Sequence, residues 1–303
     1  HYEEIAGGSG DHRAKRITAY LNQLNLLVND QFEALRQQSF ETGEDINRYF
    51  NLLPEGDLKR EYNAMMAETD LEQKTRRQDE LRRLMKPGRI NVNVMTKVDC
   101  TIDRVDNRML DPDKTDALNG LKGYGESDLQ SSIIFSAGMN PRLYGAITKY
   151  PDFFPDSSGV LKKQIVLKVS DYRSAAIQGR FLVKKGIWVS EWRFESGLNC
   201  GGHAFATQGM LMGPILKEFK ERRLELVETL FPLYEAALAK TGREIGEPPS
   251  HRFTVQGGVG THAEHDTILK HYEADATGWG SPFLLVPEVV RIDDEHLEKV
   301  REA

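Results

Sequence analysis

The sequence predicts an α/β protein of the (β/α)8-barrel type with an N-terminal helical block, on three observations. From residue 89 onward, short β-branched runs alternate with segments of helical length, the pattern of parallel βα units. Three of the runs end in glycine clusters: Gly201-Gly202-His203, Gln256-Gly257-Gly258-Val259-Gly260-Thr261 and Gly278-Trp279-Gly280-Ser281-Pro282-Phe283. Short strands whose sites gather at their C-terminal ends favour a barrel over an open sheet.

Taken in order, residues 1–12 read as a short element and a glycine turn. Ile17, Tyr20, Leu21, Leu24, Leu27, Val28, Phe32 and Leu35 recur at three- and four-residue spacing, which predicts a long amphipathic helix from residue 13. Further helices are expected over 43–53 (stopped by Pro54), 57–66 and 70–85. The last is dense in charge of both signs and reads as a solvated face. Strands are expected near 90–97, 132–137, 164–169, 187–195, 252–256 and 276–279. Helices are expected over 141–149, 172–185, 213–241 with Pro232 as a break, 262–272 and 293–301. A full barrel needs eight strands and six are visible, so an incomplete barrel is expected, with the missing strands on an N-terminal part. The first residue is His1 rather than Met, in keeping with a fragment or a processed chain. The domain division is 1–88, helical, and 89–303, the C-terminal part of a barrel with a helical insertion at about 206–250.

Composition narrows the function classes. The 303 residues, 39% of them hydrophobic, suffice for one large core. A net charge of −6 with interspersed signs argues against sequence-independent nucleic-acid binding, which needs a basic face. No apolar run has the length of a membrane span and no signal peptide opens the chain. Two cysteines, Cys100 and Cys200, form neither a disulfide framework nor a metal site alone, and a reducing, cytoplasmic setting is expected. His262 and His265 with Glu264 lack the further ligands a metal would need, so no metal is expected.

The chemistry-bearing positions lie at the strand ends. A strand closing in Gly-Gly-x-Gly before a helix turns backbone N–H groups toward an anion, most often phosphate; the same glycines also serve a tight turn. Gly280 and Ser281, one βα unit later, strengthen the phosphate reading, because the last strands of such barrels often share a phosphate site. His203 follows two glycines at the expected barrel mouth, where an imidazole can take a proton near neutral pH. Cys200 reads as a small buried cysteine sooner than as a nucleophile. Lys168 interrupts an apolar strand, opposite in direction to Leu167, and Asn93 is the polar residue of the first strand. Each is either a sheet-surface residue or part of a ligand site.

The order of these motifs resembles the nitronate monooxygenase family of FMN-dependent (β/α)8 barrels, itself similar to flavin-dependent enoyl reductases. Val92-Asn93-Val94 resembles that family's strand asparagine, and Phe135-Ser136-Ala137-Gly138 a following strand end. Gly197-Leu198-Asn199-Cys200-Gly201-Gly202-His203 resembles its Gly-x-x-Ala-Gly-Gly-His motif, with Cys for Ala. Gly257-Gly258-Val259-Gly260-Thr261 and Trp279-Gly280-Ser281-Pro282-Phe283 resemble its two last turns. The likeness covers about residues 89–290. It implies FMN as cofactor, His203 as base, phosphate on Gly258, Gly260, Gly280 and Ser281, and Asn93 near the isoalloxazine. Gly201, Gly202, Gly257 and Trp279 belong to the same cofactor-binding set. Lys168 resembles the strand lysine of other flavin barrels, such as the glutamate synthase FMN domain, where a cation stabilises reduced flavin. The family's first two strands are not visible, the block 13–86 has no counterpart, and the 206–250 segment is longer than in the family.

Two functions follow. One is an FMN oxidoreductase acting on a small organic substrate with a histidine base. The other is a flavin-free barrel that binds a phosphorylated metabolite as a lyase, isomerase or sensor. Expected partners are the small-molecule substrate and either a second copy of the chain or its N-terminal part.

Overall fold

Six strands form one parallel sheet in the order in which they occur in the chain: β1 (Val92–Val94), β2 (Ser132–Phe135), β3 (Gln164–Val169), β4 (Val189–Glu195), β5 (Arg252–Gln256) and β6 (Ala276–Gly278). A computed structural model describes residues 12–94, 99, 115–195, 212–257, 259–279 and 293–302. Sequential order without reversal is the topology of a singly wound barrel, and the sheet is curled into half of one. Ten α-helices are present among the described residues. The α/β fold class expected from the alternation is therefore the observed one, with six barrel strands among the described residues.

Strand pairing fixes which residues share a face. Leu167, Trp192 and Phe253 align across β3, β4 and β5 and point to the helix side. Helices α7 (Tyr172–Val183) and α8 (Met212–Ala239) cover them. The Phe253 ring stacks on Phe219 of α8 at 5.0 Å. A Cβ on Gly179 of α7 would stand 2.7 Å from the Trp192 ring and 2.9 Å from Leu230, so only glycine lets α7, α8 and β4 approach this closely. On the neighbouring strands, α5 (Asp116–Gly125) lies with Gly120 against Val94, and α6 (Pro141–Ala146) sets Tyr144 5.8 Å from the Phe135 ring.

The helices begin where local chemistry starts them. Thr115, Asn140, Asp171 and Thr261 accept hydrogen bonds from the first turns of α5, α6, α7 and α9 (His262–Lys270). Two 3-10 turns, Ile147–Lys149 and Pro151–Phe153, follow α6, so the helix expected over 141–149 changes geometry after Ala146. The segment at 206–250 supplies α8, which takes the place of the crossover helix between β4 and β5. Pro232 does not break it. Leu226, Val227, Leu230, Tyr234 and Leu238 are all buried on both sides of the proline, and their packing outweighs one lost backbone bond. The chain's last described helix is α10 (Asp294–Glu302).

The chain divides into two units. One comprises Asn91–Glu126 and Gln130–Ala303 with the start of the chain up to Ile17, and carries the sheet. The other comprises Thr18–Ile90 with Ser127–Leu129. Within it, most of α1 (His12–Arg36), α2 (Asp45–Asn51), α3 (Asp57–Ala67) and α4 (Leu71–Leu84) enclose a separate core of Ile46, Phe50, Tyr62, Met65, Leu81 and Met85. Phe50 and Tyr62 stack at 5.0 Å, and the Tyr62 hydroxyl donates to Asn47. Asp70 caps α4. The charged face of α4 is not all solvated. Arg82 Nε donates to the Arg36 carbonyl at 3.1 Å and Nη2 to that of Gln38 at 3.0 Å, closing the C-terminus of α1, while its guanidinium lies 4.9 Å from the Phe40 ring.

Candidate functional site

The face of β3, β4 and β5 turned away from the helices is charged. Residues of β4 alternate strictly: Trp192 and Phe194 join the helix-side core, while Glu191, Arg193 and Glu195 point to the concave side. Pairing aligns Lys168, Arg193, Thr254 and Ala276 in one row. Glu195, Gln256 and Gly278 form the row above, at the C-terminal strand ends.

These groups are largely out of water, at 3% exposure for Lys168, 7% for Glu195, 8% for Glu191 and 5% for Thr254. Burial of an ammonium or carboxylate is unfavourable unless partners replace the lost hydration. The partners are present. Lys168 Nζ donates to Glu195 Oε1 at 3.3 Å across the β3–β4 boundary. Glu191 Oε1 accepts from Arg193 Nε at 2.8 Å, Arg193 Nη2 at 2.6 Å and Thr254 Oγ1 at 2.6 Å. A barrel interior filled only for packing would carry Val, Ile and Leu here. Ionic groups in the C-terminal half are the arrangement of a site that meets a polar or charged ligand.

Two further features belong to the same end of the sheet. Among the described residues, buried Gln256 Oε1 has no hydrogen-bond partner, and its side-chain carbons fill the space a side chain at Gly278 would need. An orphan acceptor at a strand end suits a ligand N–H or O–H. The second feature is the turn after β5. Gly257 has φ +87°, which explains its residue type by backbone conformation, and its N–H reaches the Gly278 carbonyl at 3.4 Å. Gly260 N–H and Thr261 N–H both donate to Glu264 Oε2 at 2.9 Å, completing a capping box at the start of α9. The Gly260 N–H, then the Thr261 hydroxyl and N–H, hold the Glu264 carboxyl below its usual range. The turn thus holds an anion, and that anion is the chain's own carboxylate. A phosphate at these two amides has to displace it.

The remaining expected residues fall as follows. Lys168 faces the concave side and not the helices, which settles the alternative left by its alternation with Leu167. Asn93 shares that face through its pairing with Ile134 and is exposed. Trp279 turns the other way. Its indole donates to Thr277 at 2.9 Å and its ring meets His265 of α9 edge-on at 6.0 Å. His265 Nδ1 bonds Thr277 Oγ1 at 2.8 Å, and His262 lies 3.8 Å from Asp266. No group of three or more metal-ligating side chains stands together among the described residues. His203, Gly201, Gly202, Gly258, Gly280, Ser281 and Cys200 lie outside the described residues.

Glu191, Arg193, Glu195 and Gln256 escape a reading directed at glycines and histidines. Their signal was the charge alternating with Trp192 and Phe194 along one strand.

Fold and face together define a barrel-type α/β protein with an ionic concave surface at its C-terminal strand ends. Comparison with protein-family models, curated proteins and solved structures returns no match to the chain. None of the described helices is long and apolar enough to cross a membrane.

Proposed function

We propose that this chain is an FMN-dependent oxidoreductase of nitronate monooxygenase-like type, acting on a small organic substrate in the cytoplasm. The observation that carries the proposal is the buried Lys168–Glu195 pair on the concave face of a sequentially wound parallel sheet. FMN, when bound, supplies an acceptor for a hydride or an electron, with oxygen or a second substrate as the final oxidant.

The donor and acceptor set fits a ring that carries both carbonyls and N–H groups. Lys168 offers a cation, Gln256 Oε1 an unmatched acceptor and Asn93 an exposed amide, all on one face. Lys168 supplies positive charge where a reduced ring is negative, and Glu195 fixes the ammonium so that little reorganisation is needed. On the motif resemblance His203 takes the substrate proton. Phosphate contacts are assigned to Gly258, Gly280 and Ser281, and to Gly260 only once Glu264 has moved aside. The partner is a second copy of the chain or its own N-terminal part.

His203→Ala tests the assignment. Bound flavin per chain is expected to be unchanged while turnover falls by about 10²-fold or more, the usual contribution of a positioned base. Unchanged turnover would remove His203 from the mechanism.

One observation favours the second reading, a flavin-free barrel for a phosphorylated metabolite. The amides of Gly260 and Thr261 already hold a carboxylate, so the turn accommodates an anion without any flavin. A colourless protein whose unfolding temperature rises with sugar phosphates would select it.

A further inference from the structure

The lower half of the concave face carries charges that the FMN assignment leaves unused. Glu191 lies in the row beneath Lys168 and Arg193, and pairing sets it directly opposite Arg252, the first residue of β5. Arg252 faces the concave side, because its neighbour Phe253 stacks on α8 with the helix-side core. An arginine opposite a glutamate on the next strand is placed for an ion pair, yet none forms. Glu191 Oε1 is taken up by Arg193 and Thr254. Arg252 stays exposed, with no side-chain hydrogen bond or ion pair among the described residues.

Three charged groups there have bonding capacity to spare. Arg193 bonds through Nε and Nη2, which leaves Nη1. Glu191 bonds through Oε1, which leaves Oε2. Neither spare atom is among the described side-chain atoms that are enclosed without a partner, and Arg193 keeps 20% of its side chain exposed and Glu191 11%. The third group is the Arg252 guanidinium. Arg193 and Arg252 are diagonal neighbours, about 8 Å apart at the backbone from strand spacing and rise. Glu191 adjoins both, two residues from Arg193 on β4 and across from Arg252 on β5.

We infer that this cation–anion–cation set is a ligand site for an α-amino acid of the acidic kind. A lone anion meets Glu191 as well as the arginines, and a lone cation meets the arginines as well as Glu191. A molecule that carries both charges satisfies all three groups. Its ammonium answers Glu191 Oε2, its α-carboxylate answers Arg193 Nη1, and Arg252 answers the side-chain carboxylate. Two guanidinium groups against one carboxylate leave a positive surplus, which an acidic amino acid removes. None of these groups is among those assigned to FMN, so the inference stands apart from the oxidoreductase proposal.

The test is titration calorimetry on the full chain with L-glutamate, L-aspartate and L-alanine, and with acetate and methylamine as carriers of one charge each. Saturable binding of glutamate or aspartate is expected, tighter than that of alanine, with acetate and methylamine about tenfold weaker or more, as loss of charge-assisted bonds implies. Arg252→Ala is the sharpest variant, because an exposed residue without a described partner can be truncated at an unchanged unfolding temperature. It should weaken the acidic amino acid about tenfold or more; Arg252→Gln decides if the alanine variant fails to fold. No binding by either acidic amino acid, acetate binding as tight as theirs, or binding that the Arg252 variants leave unchanged overturns the inference. Flavin content is read on the same samples. Arg252→Ala should carry as much as the parent, and amino-acid binding by a flavin-free protein would uphold this site while the oxidoreductase proposal fails.

Discussion

At the scale of single residues, the pair formed by Lys168 and Glu195 has the clearest consequence. Both side chains are nearly inaccessible, so removing one charge breaks this ion pair while the other charge stays buried. Glu195→Gln should cost about 3 kcal/mol, the lower range for breaking a buried ion pair, whereas Lys168→Met with Glu195→Leu should cost less than that single change. Urea titrations measure both, and a Glu195→Gln protein as stable as the parent would mean that the pair is solvated. His251 has a consequence for acid. Burial, with Arg223 adding to it, lowers the imidazole's pKa below 6.5 although Asp275 opposes the shift, and Nε2 has no partner among the described residues. The unfolded chain then binds a proton that the folded chain refuses. Stability from this group is complete above about pH 6.5 and falls as pH drops below it toward the lower folded value. His251→Gln should therefore lose less stability between pH 7.5 and 5.5 than the parent, and equal losses would contradict the assignment. Legibility at this scale was uneven. Lys168 stood out as a cation in an apolar run, but its direction required the pairing of β3 with β4. Glu195 looked like the end of a strand, and the group that gives it meaning is 27 residues away.

At the scale of elements, two helical glycines should respond with opposite signs to the same substitution. Gly179→Ala drives a methyl into Trp192 and Leu230, and overpacking of this kind costs about 1–3 kcal/mol. Gly145→Ala meets nothing and should stabilise by about 0.5–1 kcal/mol through helix propensity. Unfolding midpoints that moved in the same direction would contradict the packing described between α7, α8 and β4. The sequence revealed the elements better than their contacts. Apolar spacing located α1 to within a residue or two, whereas the caps Asp70 and Asp171 came to light only with the structure. Pro232 misled because its cost is local, whereas the burial that sustains α8 comes from the sheet. Arg82 read as one charge among many, because the carbonyls it closes lie 44 and 46 residues back.

At the scale of the whole molecule, alternation of strand and helix foretold a barrel, and the sheet order β1 to β6 has that form. The sequence changes texture near residue 90, from charged helical periodicity to β-branched runs, and the helical unit's main segment runs from Thr18 to Ile90. That the segment up to Ile17 belongs with the sheet was not visible, because α1 reads as one continuous helix across the boundary. Glycine clusters drew attention to the strand ends, while the charged concave face that adjoins them comes from residues of ordinary type in alternation. The central claim is that this face holds FMN. Its most direct test is the visible absorption spectrum of the protein expressed from its complete reading frame, with mass spectrometry of whatever denaturation releases. Flavin absorption bands and a released mass equal to FMN are expected. A colourless protein that takes up no flavin after soaking with FMN would contradict the claim and leave the barrel to some other phosphorylated ligand.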